Sequence, residues 1–555
     1  MNNNEKNICG TGSIHLNQIG YRAADEKIAL ITKEVRRFRV HDSNGNLIYE
    51  GETKACLPDP SGMPMIDKYS GDMLWSADFT SVRSTGTYYI EAGDEKSLMF
   101  SIGDPVYSEL TKAVLKMLYY QRCGGEGISD GYAGPFAHCP CHTGKAVYFD
   151  PDDPVYGGVT ADVSGGWHDA GDYGRYVTPA AKTVVDLMTA AGLFPHIASL
   201  EFGGPCTLAD EIRYELEWML KMQHPVTGGV FHKVTTRTHA SWDMLPEKDR
   251  EQLYLSPVSA QAAGSFAAAM AHASRFYAAC DPEFSRKCIG AAEKAWNWLK
   301  SNPEAEEYKD PSFFRTGAYG DTISFDERCW AAAELYSTTG IEEYHSFLNR
   351  NHLPEPGFGW RDNGSYAMIA YLLSDKAEKS GALYNRIKEH FLGEADRIVR
   401  ISKTDGYGIG LEHYPWGSNM DAANNAMTLL LAYMLEPCPD YRKTAMDHFH
   451  YLMGRNANGI SYVTGYGEHA ARNPHHRPSM VLGSAVPGML TGGPFEKIIH
   501  LERDPASVLF GRDTPPAKCY ADLAASFSSN EICIYWNSPL AFVLAFLYKE
   551  LSGDH

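Results

Sequence analysis

The hydrophobic pattern of this chain changes once, near Pro105, and that change limits the folds open to it. Before this point, short runs of β-branched and aromatic residues alternate with turn residues, as expected for half-buried strands. After it, apolar residues recur at spacings of three and four, which indicates amphipathic helices. The sequence therefore predicts an all-β domain over residues 13–103 and an all-α domain over residues 104–555.

The first domain is predicted to be an immunoglobulin-like β-sandwich. Asn44-Gly45 lies between two of its β-rich runs and is the strongest hairpin signal that a dipeptide offers. Several short strands at this spacing within about 90 residues are typical of that fold. The predicted strands are Ile14–Tyr21, Ile28–Thr32, Phe38–His41, Leu47–Tyr49, Thr87–Glu91 and Leu98–Ile102.

The second domain is predicted to contain about twelve helices. Alanine-rich interiors such as Gly264–Ala271 allow neighbouring helices to approach closely. No repeat of about 20–50 residues is evident, so a solenoid is not favoured. Twelve helices in one domain favour a closed ring of paired helices, an all-α (α/α)6 toroid, although periodicity alone also fits a solenoid or an irregular bundle. The predicted helices are Leu110–Tyr120, Ala180–Leu193, Ala209–Met222, Ser259–Ala279, Phe284–Leu299, Asp326–Ser337, Glu342–Asn349, Tyr366–Leu373, Gly381–Phe391, Ala423–Leu435, Tyr441–Met453 and Pro539–Leu551.

The charge balance excludes several kinds of partner. Acidic residues outnumber basic residues by 69 to 50, which gives a net charge of −19 and disfavours nucleic acid and anionic membranes. No apolar run approaches the ~20 residues of a membrane-spanning helix. The first ten residues lack the apolar core of a leader peptide, so we expect a cytoplasmic protein if Met1 is the native start and an exported one if a leader was removed. We expect a monomer.

A long irregular stretch, Gly124–Trp167, carries a candidate metal site at its two ends. Cys123, Cys141 and His142 bracket the stretch and His168 closes it. Two thiolates and two imidazoles suit tetrahedral zinc with a closed, structural shell. The spacing is not that of a standard zinc finger, so unrelated Cys and His residues fit equally well, and Cys139 is a competing ligand.

Three carboxylates are candidates for acid–base chemistry. Asp169 and Asp172 lie three residues apart with a glycine between them, a spacing that can hold a water molecule, although such pairs are also common on solvated surfaces. Glu531 lies among apolar and aromatic residues just before the last helix. Poor solvation there would raise its pKa towards that of a general acid, while a charge complementing the helix dipole is the simpler alternative.

Donor and aromatic residues supply candidate ligand contacts. The Pro-rich segment Asn473–Pro478 (NPHHRP) offers His and Arg donors for a hydroxyl-rich or anionic ligand, or is an ordinary basic surface loop. Trp416 and Trp360 are candidate stacking platforms, although tryptophan more often lies in a core. Walker, dinucleotide and H-E-x-x-H motifs are absent from the sequence.

At this point the chain resembles the family 9 glycoside hydrolases, inverting cellulases with an (α/α)6 barrel, over nearly its whole length. The resemblance depends on four segments in the right order. They are Ile14–Gly20 (IHLNQIG), like the start of the immunoglobulin-like domain of one branch, Ser164–Tyr176, like the aspartate motif, Ser461–Pro478, like the histidine signature, and Asn530–Leu540, like the glutamate signature.

The resemblance implies a role for each matching residue. Asp172 would be the general base, Asp169 would help to hold the attacking water, and Glu531 would be the general acid. In an inverting mechanism the base and the acid should lie ~6.5–9.5 Å apart. The resemblance also implies substrate-binding residues, which are His475, Arg477, Trp416 and Trp536.

The same resemblance implies that the protein binds two metals, zinc and calcium. The immunoglobulin-bearing branch carries a structural zinc, and Cys123, Cys141, His142 and His168 match its ligand pattern. Family members also bind calcium, for which the matching segments offer Asp326, Glu327 and Asp362.

The implied activity is an endo-β-1,4-glucanase acting on a β-1,4-glucan or a cello-oligosaccharide. Without a carbohydrate-binding module or a leader, soluble or mixed-linkage glucans and cellodextrins are favoured over crystalline cellulose. The alternatives of the same chemistry are an exo-acting cellodextrinase or β-glucosidase and an exo-β-glucosaminidase, to be decided by loops such as Gly124–Asp162. Retention of all three carboxylates argues against a non-catalytic glycan-binding protein. Four protein ligands leave no open position on zinc, which argues against a zinc-dependent mechanism.

Overall fold

The computed structural model describes residues 12–149, 157–202 and 206–552. The leader prediction, which concerns the first ten residues, therefore lies outside the described residues, and so does the part of the long loop at 150–156. The chain divides into two compact units, one within Met1–Met117 and Ala395–His555 and the other within Leu118–Glu394. No helix among the described residues is both long enough and apolar enough to cross a membrane.

The N-terminal strands form a β-sandwich, as predicted. They are β1 (Ile14–His15), β2 (Gly20–Tyr21), β3 (Ile28–Ile31), β4 (Arg37–Asp42), β5 (Leu47–Ala55), β6 (Trp75–Asp78), β7 (Gly86–Ala92), β8 (Glu95–Lys96) and β9 (Phe100–Ile102). Strand β5 belongs to both layers because it pairs with β4 on one side and with β6 on the other. Alternate residues of the strands, such as Phe38 and Val40, point into a shared apolar core.

The predicted hairpin is present, and one predicted strand is broken. Gly45 adopts φ +84°, a conformation that favours glycine, and closes the turn between β4 and β5. The run Ile14–Tyr21 forms two short strands instead of one. The side chain of Asn17 accepts hydrogen bonds from the backbone N–H groups of Ile19 and Gly20, at 2.9 and 3.3 Å, which turns the chain between them.

Fifteen α-helices occur in the described residues, and all twelve predicted helices are among them. They are α1 (Ser108–Tyr120), α2 (Asp130–Ala133), α3 (Val177–Leu193), α4 (Leu208–Lys221), α5 (Ala260–Tyr277), α6 (Pro282–Ser301), α7 (Phe325–Thr339), α8 (Glu342–Arg350), α9 (Gly364–Leu372), α10 (Ala382–Ser402), α11 (Ser418–Leu435), α12 (Pro439–Leu452), α13 (Arg477–Leu482), α14 (Phe527–Asn530) and α15 (Ile534–Ser552). Helix α15 begins before the predicted start at Pro539. Pro539 has no N–H group and cannot donate to the carbonyl of Tyr535 in the preceding turn. The hydroxyl of Ser538 donates to that carbonyl instead, at 3.4 Å.

Within the second unit, helices pack in pairs. Helices α3, α5, α7 and α9 contact one another in sequence, and α4, α6 and α8 each pack against one of them. Helix α9 is buried throughout, whereas α6 buries one face only. Gly264 on α5 lies directly against Glu327 on α7, where a Cβ atom would come within 2.5 Å. Close packing of small residues therefore brings these helices together, as the alanine-rich sequence predicts.

The long irregular stretch is partly ordered into a small sheet. Its strands are β10 (Ala146–Tyr148) and β11 (Thr160–Ala161), and further strands are β12 (Arg175–Tyr176), β13 (Val230–Phe231), β14 (Lys233–Thr235), β15 (Tyr254–Leu255) and β16 (Val258–Ser259). The order β11-β10-β15-β14-β12 links this stretch to the residues that directly precede α3. The aspartate motif is therefore held between a sheet and the start of a buried helix.

Candidate active site

The four predicted zinc ligands are brought together and all are buried. Their ligand atoms lie within 4.8 Å of one another. Cys123 Sγ lies 3.9 Å from Cys141 Sγ and 3.6 Å from His142 Nδ1, and His168 Nε2 lies 3.4 Å from His142 Nδ1. Ligands around tetrahedral zinc would be separated by about 3.8, 3.6 and 3.4 Å for the same atom pairs. The set therefore fits zinc, while Cys139 is exposed and stands outside it.

The backbone around these ligands is fixed by hydrogen bonds. The N–H groups of Cys123 and Cys141 donate to the carbonyls of Gly166 and Gly124, at 2.7 and 3.1 Å. His142 has φ +48°, and its Nε2 lies 3.4 Å from the buried carboxylate of Asp249. A carboxylate in this position fixes the orientation and tautomer of a metal-binding imidazole.

Asp169 lies next to this cluster and is 1% exposed. Its Oδ2 accepts a hydrogen bond from the hydroxyl of Tyr319. Its Oδ1 is buried and has no hydrogen-bond partner in the described part of the chain. Burial raises the pKa of Asp169 well above its ordinary value, against the Tyr319 hydrogen bond, and the charge of Asp172 adds to the rise.

Asp172 is 8% exposed, and two nitrogen atoms lie within 3.1 Å of one of its oxygens. Its Oδ2 accepts from the backbone N–H of Gly174 and lies 3.1 Å from His239 Nδ1. A cavity of about 10 Å³, enough for one water molecule, is lined by Asp172, His239 and Asp249 among others. The two aspartates of the motif therefore differ, since one keeps an unpaired buried oxygen and the other borders a water-sized cavity.

Sequence reasoning missed Tyr319 and His239. Tyr319 precedes α7 and adopts φ +45°, an uncommon conformation that is often found at functional sites. Its ring packs edge-on against Trp360 at 4.9 Å, which places that candidate platform beside the aspartate motif. Neither Tyr319 nor His239 belongs to a motif of its own, so only the tertiary contact identifies them.

In the first unit, the histidine and glutamate signatures meet. His475 and Glu531 form an isolated β-bridge, and the N–H of His475 donates to the carbonyl of Asn530 at 2.7 Å. His475 Nδ1 lies 2.6 Å from the carbonyl of Ala524, which directs Nε2 away from that contact. Arg477 is buried at the start of α13, and Glu531 is partly exposed just before α15.

The predicted aromatic contacts differ in their exposure. Trp416 is 38% exposed and lies 5.4 Å from the ring of Phe527. Trp536 is only 2% exposed and packs where Gly417 and Gly492 leave room for it. The Trp536 ring therefore supports the backbone near Glu531 and presents no open face. Trp242, which the sequence reasoning missed, is 43% exposed in the same loop as His239.

The predicted calcium ligands are only partly brought together. Asp326 and Glu327 are buried, whereas Asp362 is exposed and its neighbour Asn363 is buried instead. The backbone N–H of Asn363 donates to Asp326 Oδ2 at 3.2 Å. Five buried oxygens here lack a hydrogen-bond partner among the described residues: Asp321 Oδ2, Asp326 Oδ1, Glu327 Oε1, Glu327 Oε2 and Asn363 Oδ1. Such a set of oxygens fits a calcium ion, with Asp321 and Asn363 as the residues that the sequence did not reveal.

The matches to known proteins agree with this combination of fold and site. Residues 10–97 match the family described as the cellulase N-terminal ig-like domain, and residues 107–544 match glycosyl hydrolase family 9. The protein is therefore a glycoside hydrolase with a β-sandwich domain before a helical catalytic domain. It belongs to glycosyl hydrolase family 9, whose solved members have the (α/α)6 fold that the sequence predicts.

Individual relatives cover nearly the whole chain. A cellodextrinase of Butyrivibrio fibrisolvens is 35% identical, with 96% of this chain and 98% of the relative covered. Endoglucanase D of Acetivibrio thermocellus is also 35% identical, with 96% and 83% covered. The crystal structure of a thermostable endoglucanase from Alicyclobacillus acidocaldarius, a single mutant, matches with a TM-score of 0.86 at 36% identity, with 97% and 99% covered.

Proposed function

We propose that this protein hydrolyses β-1,4-glucosidic bonds in soluble cellulose-type glucans with inversion of configuration, and that it attacks bonds within the chain. Asp172 acts as the general base, Asp169 holds the attacking water with it, and Glu531 acts as the general acid. The observation that carries the proposal is the aspartate pair: Asp169 keeps a buried Oδ1 without a partner in the described part of the chain, and the charge of Asp172 acts on the same carboxyl group.

The base side of the mechanism follows from the hydrogen bonds of the two aspartates. Tyr319 occupies one oxygen of Asp169, so the other oxygen is left to accept a hydrogen bond from the water. Asp172 Oδ2 accepts the Gly174 N–H at 3.1 Å and lies 3.1 Å from His239 Nδ1, and these two contacts hold the carboxylate in place. Asp172 takes one proton as the water oxygen attacks the anomeric carbon, and the other hydrogen stays on that oxygen as the new anomeric hydroxyl group.

The acid side of the mechanism depends on the histidine and glutamate signatures, which pair at His475 and Glu531. Glu531 donates its proton to the leaving glycosidic oxygen. Its backbone is held by the bridge to His475 and by the Gly492 N–H, which donates to its carbonyl at 2.9 Å. His475 and Arg477 supply donors for sugar hydroxyl groups, and the exposed ring of Trp416 offers a stacking surface.

The two metals have structural roles in this proposal. Zinc held by Cys123, Cys141, His142 and His168 ties the long loop to the aspartate motif, and its four protein ligands leave no position for substrate. Calcium held by Asp321, Asp326, Glu327 and Asn363 neutralises their buried carboxylates. No step of the hydrolysis requires either ion.

The names of the relatives leave two modes of action open, attack within the glucan chain and attack at its ends. One relative is named a cellodextrinase and another an endoglucanase at the same 35% identity. We propose that the enzyme attacks bonds within the glucan chain. The similarity to a protein named cellodextrinase favours a second candidate, removal of units from the ends of short oligosaccharides.

Product analysis on soluble β-glucan and on cellopentaose, with the anomeric proton followed by NMR, tests this proposal. We expect newly formed α-anomer and mixed oligomers. Removal of single units from one end would support the exo-acting alternative, and absence of hydrolysis of both substrates would contradict the proposal.

The Glu531→Gln variant tests the assigned acid. We expect kcat to fall by about 10²–10⁴-fold because proton donation to the leaving group is lost. The exposed Glu502→Gln variant is the matched control and should keep wild-type kcat. Wild-type activity in Glu531→Gln would overturn the assignment.

A further inference from the structure

We propose that Gln121 is a positioning residue for Asp169, holding the carbonyl groups of the residues before and after that aspartate so that its free oxygen points at the attacking water. The inference rests on the proposed function, because it concerns how the water-binding aspartate is held.

The side chain of Gln121 contacts the chain immediately before and immediately after Asp169. Its amide Nε2 donates to the carbonyl of His168 at 3.0 Å and to the carbonyl of Ala170 at 2.9 Å. The carbonyl of Gln121 itself accepts the His168 N–H at 2.7 Å. Gln121 is 1% exposed, so these bonds form without competition from solvent.

The chemistry of the amide explains why glutamine suits this position. A primary amide carries two N–H donors on one nitrogen, one for each carbonyl. The N–H of Asp169 donates to the carbonyl of Gly174 at 3.0 Å, so the peptide group that precedes Asp169 is hydrogen-bonded through both its N–H and its carbonyl. With its backbone fixed and one oxygen held by Tyr319, the carboxylate of Asp169 has one orientation left for Oδ1.

The neighbouring segment is held independently of Gln121. The N–H of Trp167 donates to Glu215 at 2.6 Å, and its indole N–H donates to Glu211 at 2.8 Å. Cys123 and Cys141 have their own backbone hydrogen bonds. Removal of the Gln121 side chain should therefore loosen Asp169 while the loop and the metal cluster stay in place.

The test compares Gln121→Met with Gln223→Met. Gln223 makes the same kind of double contact, with Nε2 donating to the carbonyls of Gly228 and Ala291 at 3.1 and 3.0 Å, but it holds no residue of the site. In Gln121→Met we expect kcat to fall by about 10- to 100-fold with KM within about twofold, because small misplacements of a reacting group carry costs of this size. Zinc content should match that of the wild type. Gln223→Met should keep wild-type kcat.

A double variant separates positioning from general loss of structure. Because Gln121 acts through Asp169, Gln121→Met should lower kcat little further in an Asp169→Asn background. The same fold-loss in both backgrounds, or wild-type kcat in Gln121→Met, would overturn the positioning role. Wild-type kcat in Asp169→Asn would instead overturn the proposed function itself.

A second variant covers the case in which Gln121→Met does not fold. Gln121→Glu keeps the shape of the side chain, and its protonated carboxyl group donates only one hydrogen bond. We expect a smaller fall in kcat than in Gln121→Met, with zinc content and melting temperature near those of the wild type. Unchanged kcat in a folded, zinc-loaded Gln121→Glu variant would contradict the proposal.

Discussion

Helix α7 carries two buried glutamates, two turns apart, whose surroundings differ sharply. Glu334 is 2% exposed, and its oxygens lie 3.0 Å from His272 and in direct contact with Arg275. Glu327 is fully buried, and neither of its oxygens has a hydrogen-bond donor in the described part of the chain. We call Glu334, whose oxygens both have side-chain partners, the completed carboxylate. We call Glu327, whose oxygens have no hydrogen-bond partner among the described residues, the incomplete carboxylate.

The pKa values of the two glutamates shift in opposite directions. Burial acts to raise the pKa of Glu334, but the charges and hydrogen bonds of Arg275 and His272 outweigh it and lower the pKa to about 2. Burial raises the pKa of Glu327 well above its usual range, and the charges of Asp326 and Asp321 add to the rise. Buried carboxylates need either cationic partners or a proton. The chain supplies partners to Glu334 and leaves Glu327 to a bound cation or a proton.

The largest expected effect concerns the completed carboxylate. Glu334→Ala should lower the free energy of unfolding by about 3–5 kcal/mol, because Arg275 loses the partner of a largely buried pair. Urea denaturation measures this change. Glu307→Ala is the control, since Glu307 and Lys309 are both exposed and the loss of their ion pair should cost less than about 1 kcal/mol. Equal effects of the two variants would contradict the contrast.

A smaller effect is expected at the incomplete carboxylate. Calcium at 100 times its dissociation constant should stabilise the wild type by about 2.7 kcal/mol and raise the melting temperature by a few degrees. Calcium titration of metal-depleted protein, with melting followed by calorimetry and zinc content checked, measures this. Glu327→Gln should weaken the response. If calcium changes nothing in the wild type, Glu327 holds a proton instead.

The smallest effect is the pH dependence of the completed carboxylate. Because the pKa of Glu334 is lowered, its contribution to stability is present above the unfolded pKa and is lost as pH falls towards about 2. Between about pH 5 and pH 3.5 the wild type should lose about 1 kcal/mol more than Glu334→Gln. Urea denaturation of both proteins at these pH values tests this. If the free energy of unfolding depends on pH in the same way in both, the pKa of Glu334 is not lowered by Arg275 and His272.

Local sequence patterns predicted most of the fold. The twelve helices were predicted because their apolar spacing extends over two or more turns. The start of α15 differs from its predicted position at Pro539, where the side chain of Ser538 replaces a backbone donor. Strand β6, Trp75–Asp78, was missed because its short run lacks a clear alternation and it forms by pairing with β3 and β5. Pairing across long sequence distances leaves little trace in either partner alone.

For the candidate site, the sequence by itself determined the residues that occur in contiguous motifs. The thiolates and imidazoles of the zinc set and the three carboxylates could be named because chemistry and spacing lie together in short segments. Tertiary structure alone decided which residues complete them. Tyr319 contacts Asp169 although 150 residues of sequence separate them. Asn363 lies beside Asp326 in place of the predicted Asp362, because the fold buries Asn363 and leaves Asp362 exposed. Packing also buries Trp536 and leaves Trp416 exposed, a difference that residue type cannot encode.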